Sequence, residues 1–177
     1  MIWCAGLQRR SACRNAAQSR EGRSRRVAGV GCEDLTDEEL LAAFEACALP
    51  KERFHHGDHI RLAWLYTGRY GPAEAERRFL AGIRRLAEHF GAPETFHYTA
   101  TVAWMRLVSS RHPGFPGPGQ VLYSEWIAAN QELLKRNLLS HFYSPQALST
   151  SRARYGWHEP DLQPLPDLDP PEPSVLS

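Results

Sequence analysis

Three of the chain's eight histidines fall within five residues, in the run Phe54-His55-His56-Gly57-Asp58-His59-Ile60-Arg61-Leu62-Ala63-Trp64. His55 and His59 are four apart, and His56 and His59 three apart. On a helix either pair sets two imidazoles on one face, a turn apart. One helix can present two ligands to a metal ion in this way. Neutral imidazole suits Zn, Fe, Cu or Ni, so the implied cofactor is a divalent transition metal, Zn or Fe first. Two ligands are not enough for a site. His97 best completes a His56, His59 and His97 set, with His141 next in line. Asp58 fits as a further ligand, as the group that orients an imidazole, or as a helix cap.

The same residues also read without a metal. His59, His97 and Asp58 would then act as acid–base groups, since a desolvated histidine beside a carboxylate can hold or release a proton near neutrality. Arg61 would anchor an anionic substrate through its planar fork, and Trp64, Thr101 and Trp104 would line the pocket. A plainer reading competes with both. In it His55 and His56 occupy a solvated turn, His59 is a hydrogen-bonded core histidine, and the tryptophans are packing residues.

Other chemical signatures are missing. The chain has no HExxH, ExxH, GxSxG, P-loop, GxGxxG or CxxC. Ser109, Ser110 and His112 are nucleophile and base types, but their spacing implies nothing by itself. Arg77, Arg78, Arg84 and Arg85 give the third helix a basic side that Glu74, Glu76 and Glu88 interrupt, which disfavours a nucleic-acid surface.

The elements that would position these residues are helical. Thr36 and Glu39 form a capping box ahead of Leu40, Leu41 and Phe44, and that helix stops before Pro50. A second helix is expected over His56 to Tyr70, ended by Gly71. A third runs from Pro72 to Phe90 with Phe79, Ile83 and Leu86 on its apolar stripe. A fourth spans about Glu94 to Ser110 and carries His97, Thr101 and Trp104 on one face. The run from His112 to Gly119 is a loop by composition, and helix resumes from Ser124 to about His141 with a break near Asn130. Ser144 and Pro145 begin a last short helix. No alternating strand pattern occurs. The expected fold is all-α, a compact bundle-like domain of five or six helices.

The length is 177 residues, one ordinary domain with tails, and 42% hydrophobic content supports a core. No apolar run is long enough to span a membrane, and no secretory signal precedes the domain, so a cytoplasmic protein is expected. The net charge of +1 conceals a segregation. Residues 1–32 hold seven arginines and one acid, net +6; residues 159–177 hold five acids and no Lys or Arg, net −5; the middle, 33–158, is neutral. The first stretch is expected to be a disordered basic tail. The last, with six prolines, reads as an extended acidic tail whose beginning, Trp157 to Leu165, packs along the domain.

The phrase from Phe54 to Trp64, with Phe96-His97-Tyr98-Thr99-Ala100-Thr101 later, resembles a group of small uncharacterised bacterial helical proteins. That group carries F-x-H-x-D-H-x-R-x-A-W and Y-H-x-T-x-T segments. The likeness covers about residues 36–165 and singles out His56 over His55, together with Asp58, His59, Arg61, Trp64, His97, Thr99 and Thr101. Phe96 stands here where the group's pattern has Tyr. The resemblance implies a compact bacterial protein and brings no activity. Two functional expectations follow. The first is a His-rich pocket between the second and fourth helices, binding a metal ion or small anionic molecule. The second is a non-catalytic helical protein-interaction module. A nucleic-acid accessory role through the arginine-rich tail ranks third, and whether the chain is an enzyme stays open.

Overall fold

The computed structural model describes residues 32–114 and 121–166. The arginine-rich stretch, the centre of the proline-glycine loop and the end of the acidic tail lie outside the described residues. Among those described there are seven α-helices and no strand: α1 (Asp37–Glu45), α2 (His56–Tyr70), α3 (Pro72–His89), α4 (Tyr98–Ser109), α5 (Tyr123–Ala129), α6 (Pro145–Ser149) and α7 (Ser151–Tyr155). The five longest have seven residues or more, as the all-α reading requires. No helix among these residues is long and apolar enough to cross a membrane.

Local chemistry explains most boundaries. Thr36 Oγ1 accepts from the Glu39 amide at 3.2 Å, and Glu39 accepts from the Thr36 amide at 3.0 Å. This closes the capping box, and Asp37, Glu38 and Glu39 complement the dipole of the first turn. Gly71 ends α2 with φ of 74°, a left-handed conformation that suits glycine, and its amide donates to Thr67 O. Pro72 then opens α3 at a position where no amide hydrogen is required.

Helices α2, α3 and α4 pack against one another; α1 lies across α2 and α3, and α7 returns onto α4. Phe44 of α1 is fully buried between the rings of Tyr66 and Phe79, at centroid distances of 5.7 and 5.8 Å. Ile60, Leu62, Ile83, Leu86 and Met105 complete the centre.

Two segments depart from expectation. α4 begins at Tyr98 rather than near Glu94, because Pro93–Thr95 forms a separate 3-10 turn and Phe96 is extended. The late helix breaks at Asn130 as expected, where the Asn130 side-chain amide donates to Trp126 O at 2.8 Å, but α-helix does not resume up to His141. Two 3-10 turns follow, Gln131–Leu134 and Leu138–His141. The chain re-enters helix after Ser144, whose hydroxyl accepts from the Ala147 amide, and again after Thr150.

Gly82 of α3 faces the Phe44 ring so closely that a Cβ there would sit 2.6 Å from two ring carbons. Overpacking costs about 1–3 kcal/mol, against about 1 kcal/mol returned by helix propensity. With Phe44 boxed in by two rings, Gly82→Ala is expected to lose about 1–2 kcal/mol net in urea unfolding; equal or greater stability would show that the ring moves freely.

Candidate functional site

The first turn of α2 is built by its own polar residues. The His55 amide donates to Asp58 Oδ2 at 2.7 Å, which closes the turn. Burial pushes the Asp58 carboxyl above its ordinary value, and the His55 amide opposes that shift. His56 Nε2 lies 2.8 Å from Leu133 O, and because a carbonyl only accepts, Nε2 carries the hydrogen. The His56 ring meets the Trp104 ring edge-on at 4.6 Å. His59 is fully buried, with the Phe54 ring 4.2 Å away. Burial holds His56 below, and His59 well below, the usual histidine range. Both are therefore neutral interior groups.

The other histidine candidates do not converge with them. His97 is not on the α4 stripe but is the N-cap of that helix. Its Nδ1 accepts from the Ala100 amide at 3.2 Å, and its Nε2–H donates to Leu148 O at 2.8 Å. Both nitrogens are engaged, and no lone pair remains for a metal. His97 also precedes Trp104, the residue against His56, by seven positions, about 10 Å along the helix. Among the described residues no three His, Cys, Asp or Glu side chains gather closely enough to hold a metal ion. The expected His56, His59 and His97 set is therefore not assembled. His141 is exposed and belongs to a different turn.

Arg61 faces inward to the chain rather than outward to an anion. Its Nε and Nη2 reach Asp37 Oδ1 at 2.8 and 2.6 Å, Nη2 donates to Leu35 O at 2.9 Å, and Nη1 to Cys32 O at 3.4 Å. It pins the entry segment to α2. Thr101 is fully buried and donates to His97 O at 2.9 Å, and Trp104 is core. Trp64 is half-buried among His112, Tyr123 and Trp126 at centroid distances of 5.5 to 6.1 Å. Ser109 donates to Thr67 Oγ1, whose own hydrogen goes to Ala63 O, and Ser110 donates to Leu107 O. Neither serine hydroxyl bonds to His112.

A cavity lies elsewhere, at the far end of α2. A groove of about 1370 Å³ separates the ends of α2, α3 and α4 from the segment 157–166. Thr99 anchors that segment. Its buried hydroxyl donates to Gly156 O at 2.8 Å and accepts from the His158 amide at 3.0 Å. Tyr143 donates to His158 O, the Ser144 amide to Asp161, and the Leu162 amide to Phe142 O. Across the groove floor, Arg106 sits 4.3 Å above the Trp157 ring and 3.2 Å from a Glu76 oxygen.

Sequence reasoning missed Arg106, Glu76 and Trp157 as groove residues. Trp157 within a proline-rich stretch is a signal for surface packing, but its partner is 51 positions back. The chain matches no family model, no curated protein and no solved structure.

Two outcomes are expected. Untagged protein should carry Zn or Fe well below one atom per chain in elemental analysis, with no rise in Tm on adding either ion. A stoichiometric metal lost in a His59→Ala, His97→Ala double variant would reverse this assignment. Second, burial lowers His56, His59, His97 and His112 from the ordinary 6.5. The unfolded chain then binds more protons in that range, so stability present above 6.5 is lost as pH falls below it. Asp58, raised from 3.8, opposes the trend only at the acid end. The urea midpoint is therefore expected to drop between about pH 7.5 and pH 5; a flat or rising midpoint would contradict neutral buried imidazoles.

Proposed function

We propose that this chain is a non-catalytic helical binding module whose ligand is an extended, cationic molecule held in the groove beside segment 157–166. The groove carries the reading. Its volume of about 1370 Å³ has, as one wall, the consecutive stretch Glu159–Pro166, along which an extended ligand could run. The side chains with catalytic potential support it from the other direction, since Arg61 and His97 direct their donors at the chain's own backbone and Asp37.

Electrostatics select the sign of the ligand. Arg106 is paired with Glu76, which leaves Glu159 and Asp161, among the described residues, as the charges not neutralised within the groove wall. The Ser144 hydrogen bonds hold the Asp161 carboxyl below the ordinary carboxylate range, so it stays ionised into acid. An anion would meet these carboxylates and be repelled. The small anionic ligand suggested by Arg61 is thus replaced by a cation, and the site moves from the start of α2 to its end.

Titration of the full chain with a short oligoarginine peptide and with oligoglutamate tests this. The cationic peptide is expected to shift the Trp157 indole and Asp161 amide resonances, and Trp157→Ala to weaken it at least several-fold, while oligoglutamate leaves the groove unchanged. Shifts confined to α1 and the start of α2, or none with either peptide, would overturn the reading.

A further inference from the structure

The chain itself contains a segment of the required chemistry. Residues 1–31 hold Arg9, Arg10, Arg14, Arg20, Arg23, Arg25 and Arg26 with Glu21 as their one acid. We propose that this arginine-rich segment is the groove's own occupant, docking within the same chain against Glu159, Asp161 and the aromatic wall of Trp157. The inference rests on the groove being a cation-binding surface, as argued above.

Three observations lead to it. The first is charge: the first 32 residues carry +6, and of the five acids in the last 19 the groove wall presents Glu159 and Asp161, beside a domain that is neutral overall. The second is the groove's demonstrated chemistry. Arg106 lies on the Trp157 ring at 4.3 Å with its charge met by Glu76, and the Trp157 indole N–H holds Glu159 at 2.6 Å, which sets a carboxylate at the edge of an aromatic wall. The third is reach. The chain enters the fold at Cys32, which Arg61 pins to α2, and 31 residues before it span up to about 100 Å when extended. That far exceeds a domain of this size. Tethering also replaces a bimolecular encounter with an effective concentration of order mM, enough for weak ion pairing to hold.

The native cysteines provide the test. Cys4 and Cys13 lie in the segment, whereas Cys32 is fully buried. A Cys47→Ser full-length chain can therefore be spin-labelled at Cys4 and Cys13 alone. Paramagnetic broadening of the Trp157 indole and the 158–162 amides is expected at about 50 mM salt. It should be lost at about 500 mM, where the Debye length has fallen from about 14 to about 4 Å. It should also be lost in a Glu159→Gln, Asp161→Asn variant, which removes both charges but keeps both hydrogen-bond acceptors. Excess oligoarginine should displace the segment and remove the broadening.

In a mixture of labelled unenriched chains with unlabelled ¹⁵N chains, no broadening should appear; if it does, docking is between copies and the proposal falls. Absence of broadening in the labelled chain itself, with oligoarginine still shifting groove resonances, would overturn self-docking and leave the cation groove standing. Absence of both responses would overturn the two together.

Discussion

The constraint that shapes this fold is the need to satisfy backbone carbonyls in a stretch that no long helix covers. Between Asn130 and Pro166 the chain is a succession of 3-10 turns, five-residue helices and extended backbone. Such turns leave carbonyls without an internal donor, and buried ones must find a donor elsewhere. The donors come from the long helices and their caps: His56 to Leu133, His97 to Leu148, and Thr99 to Gly156. Arg154 returns the favour by donating to Glu94 O and Phe96 O, beside the N-cap of α4. The polar signature of the sequence is in this sense a set of fasteners between a regular helical half and an irregular one.

A histidine serves well as such a fastener because it is large, half apolar and able to donate from one nitrogen while accepting at the other. His97 uses both properties, capping α4 with Nδ1 and tying down Leu148 with Nε2. This works only for the neutral ring. A protonated imidazole donates at both nitrogens and would face the Ala100 amide with a like donor. The lowering of His97 by burial is therefore consistent with the hydrogen bonds it makes. Fold stability and histidine protonation are coupled at the points where the two halves of the molecule join.

Much of the regular half was legible in the residues themselves. α2 ends at Tyr70 and α3 opens at Pro72, because a glycine stop and a proline start are local signals, whereas the cap of α2 is His55 with Asp58 inside the first turn. The Thr36 and Glu39 box is likewise local. His97 was misplaced for an instructive reason: positions 97, 101 and 104 follow helical spacing, and an N-cap shares the azimuth of the helix it precedes. Periodicity alone cannot separate the cap from the first turn. The histidine pair also illustrates a limit of spacing. Three-residue spacing fixes a shared face, but ring direction is set by Leu133, 77 positions from His56, and by Leu148, 51 from His97. Arg61 likewise turns toward an entry segment 24 to 29 positions before it.

The groove follows from the same division of the molecule. Three helices end at one side, α2 and α4 at their C-termini and α3 at its beginning, and their ends form a wall rather than a closed core. The opposite wall is extended backbone that approaches only where a side chain draws it in, through Thr99, Tyr143 and Ser144. Beyond Leu162 the segment is held by side-chain packing, with Leu165 half-buried against the core. Prolines at 160, 164 and 166 keep this stretch from adding a helix to the bundle, so the space between the walls stays open. The acidic residues on that segment then set the potential of the opening. The fasteners that close the irregular half onto the helices leave, at its edge, a negatively biased surface that packing among the described residues does not fill.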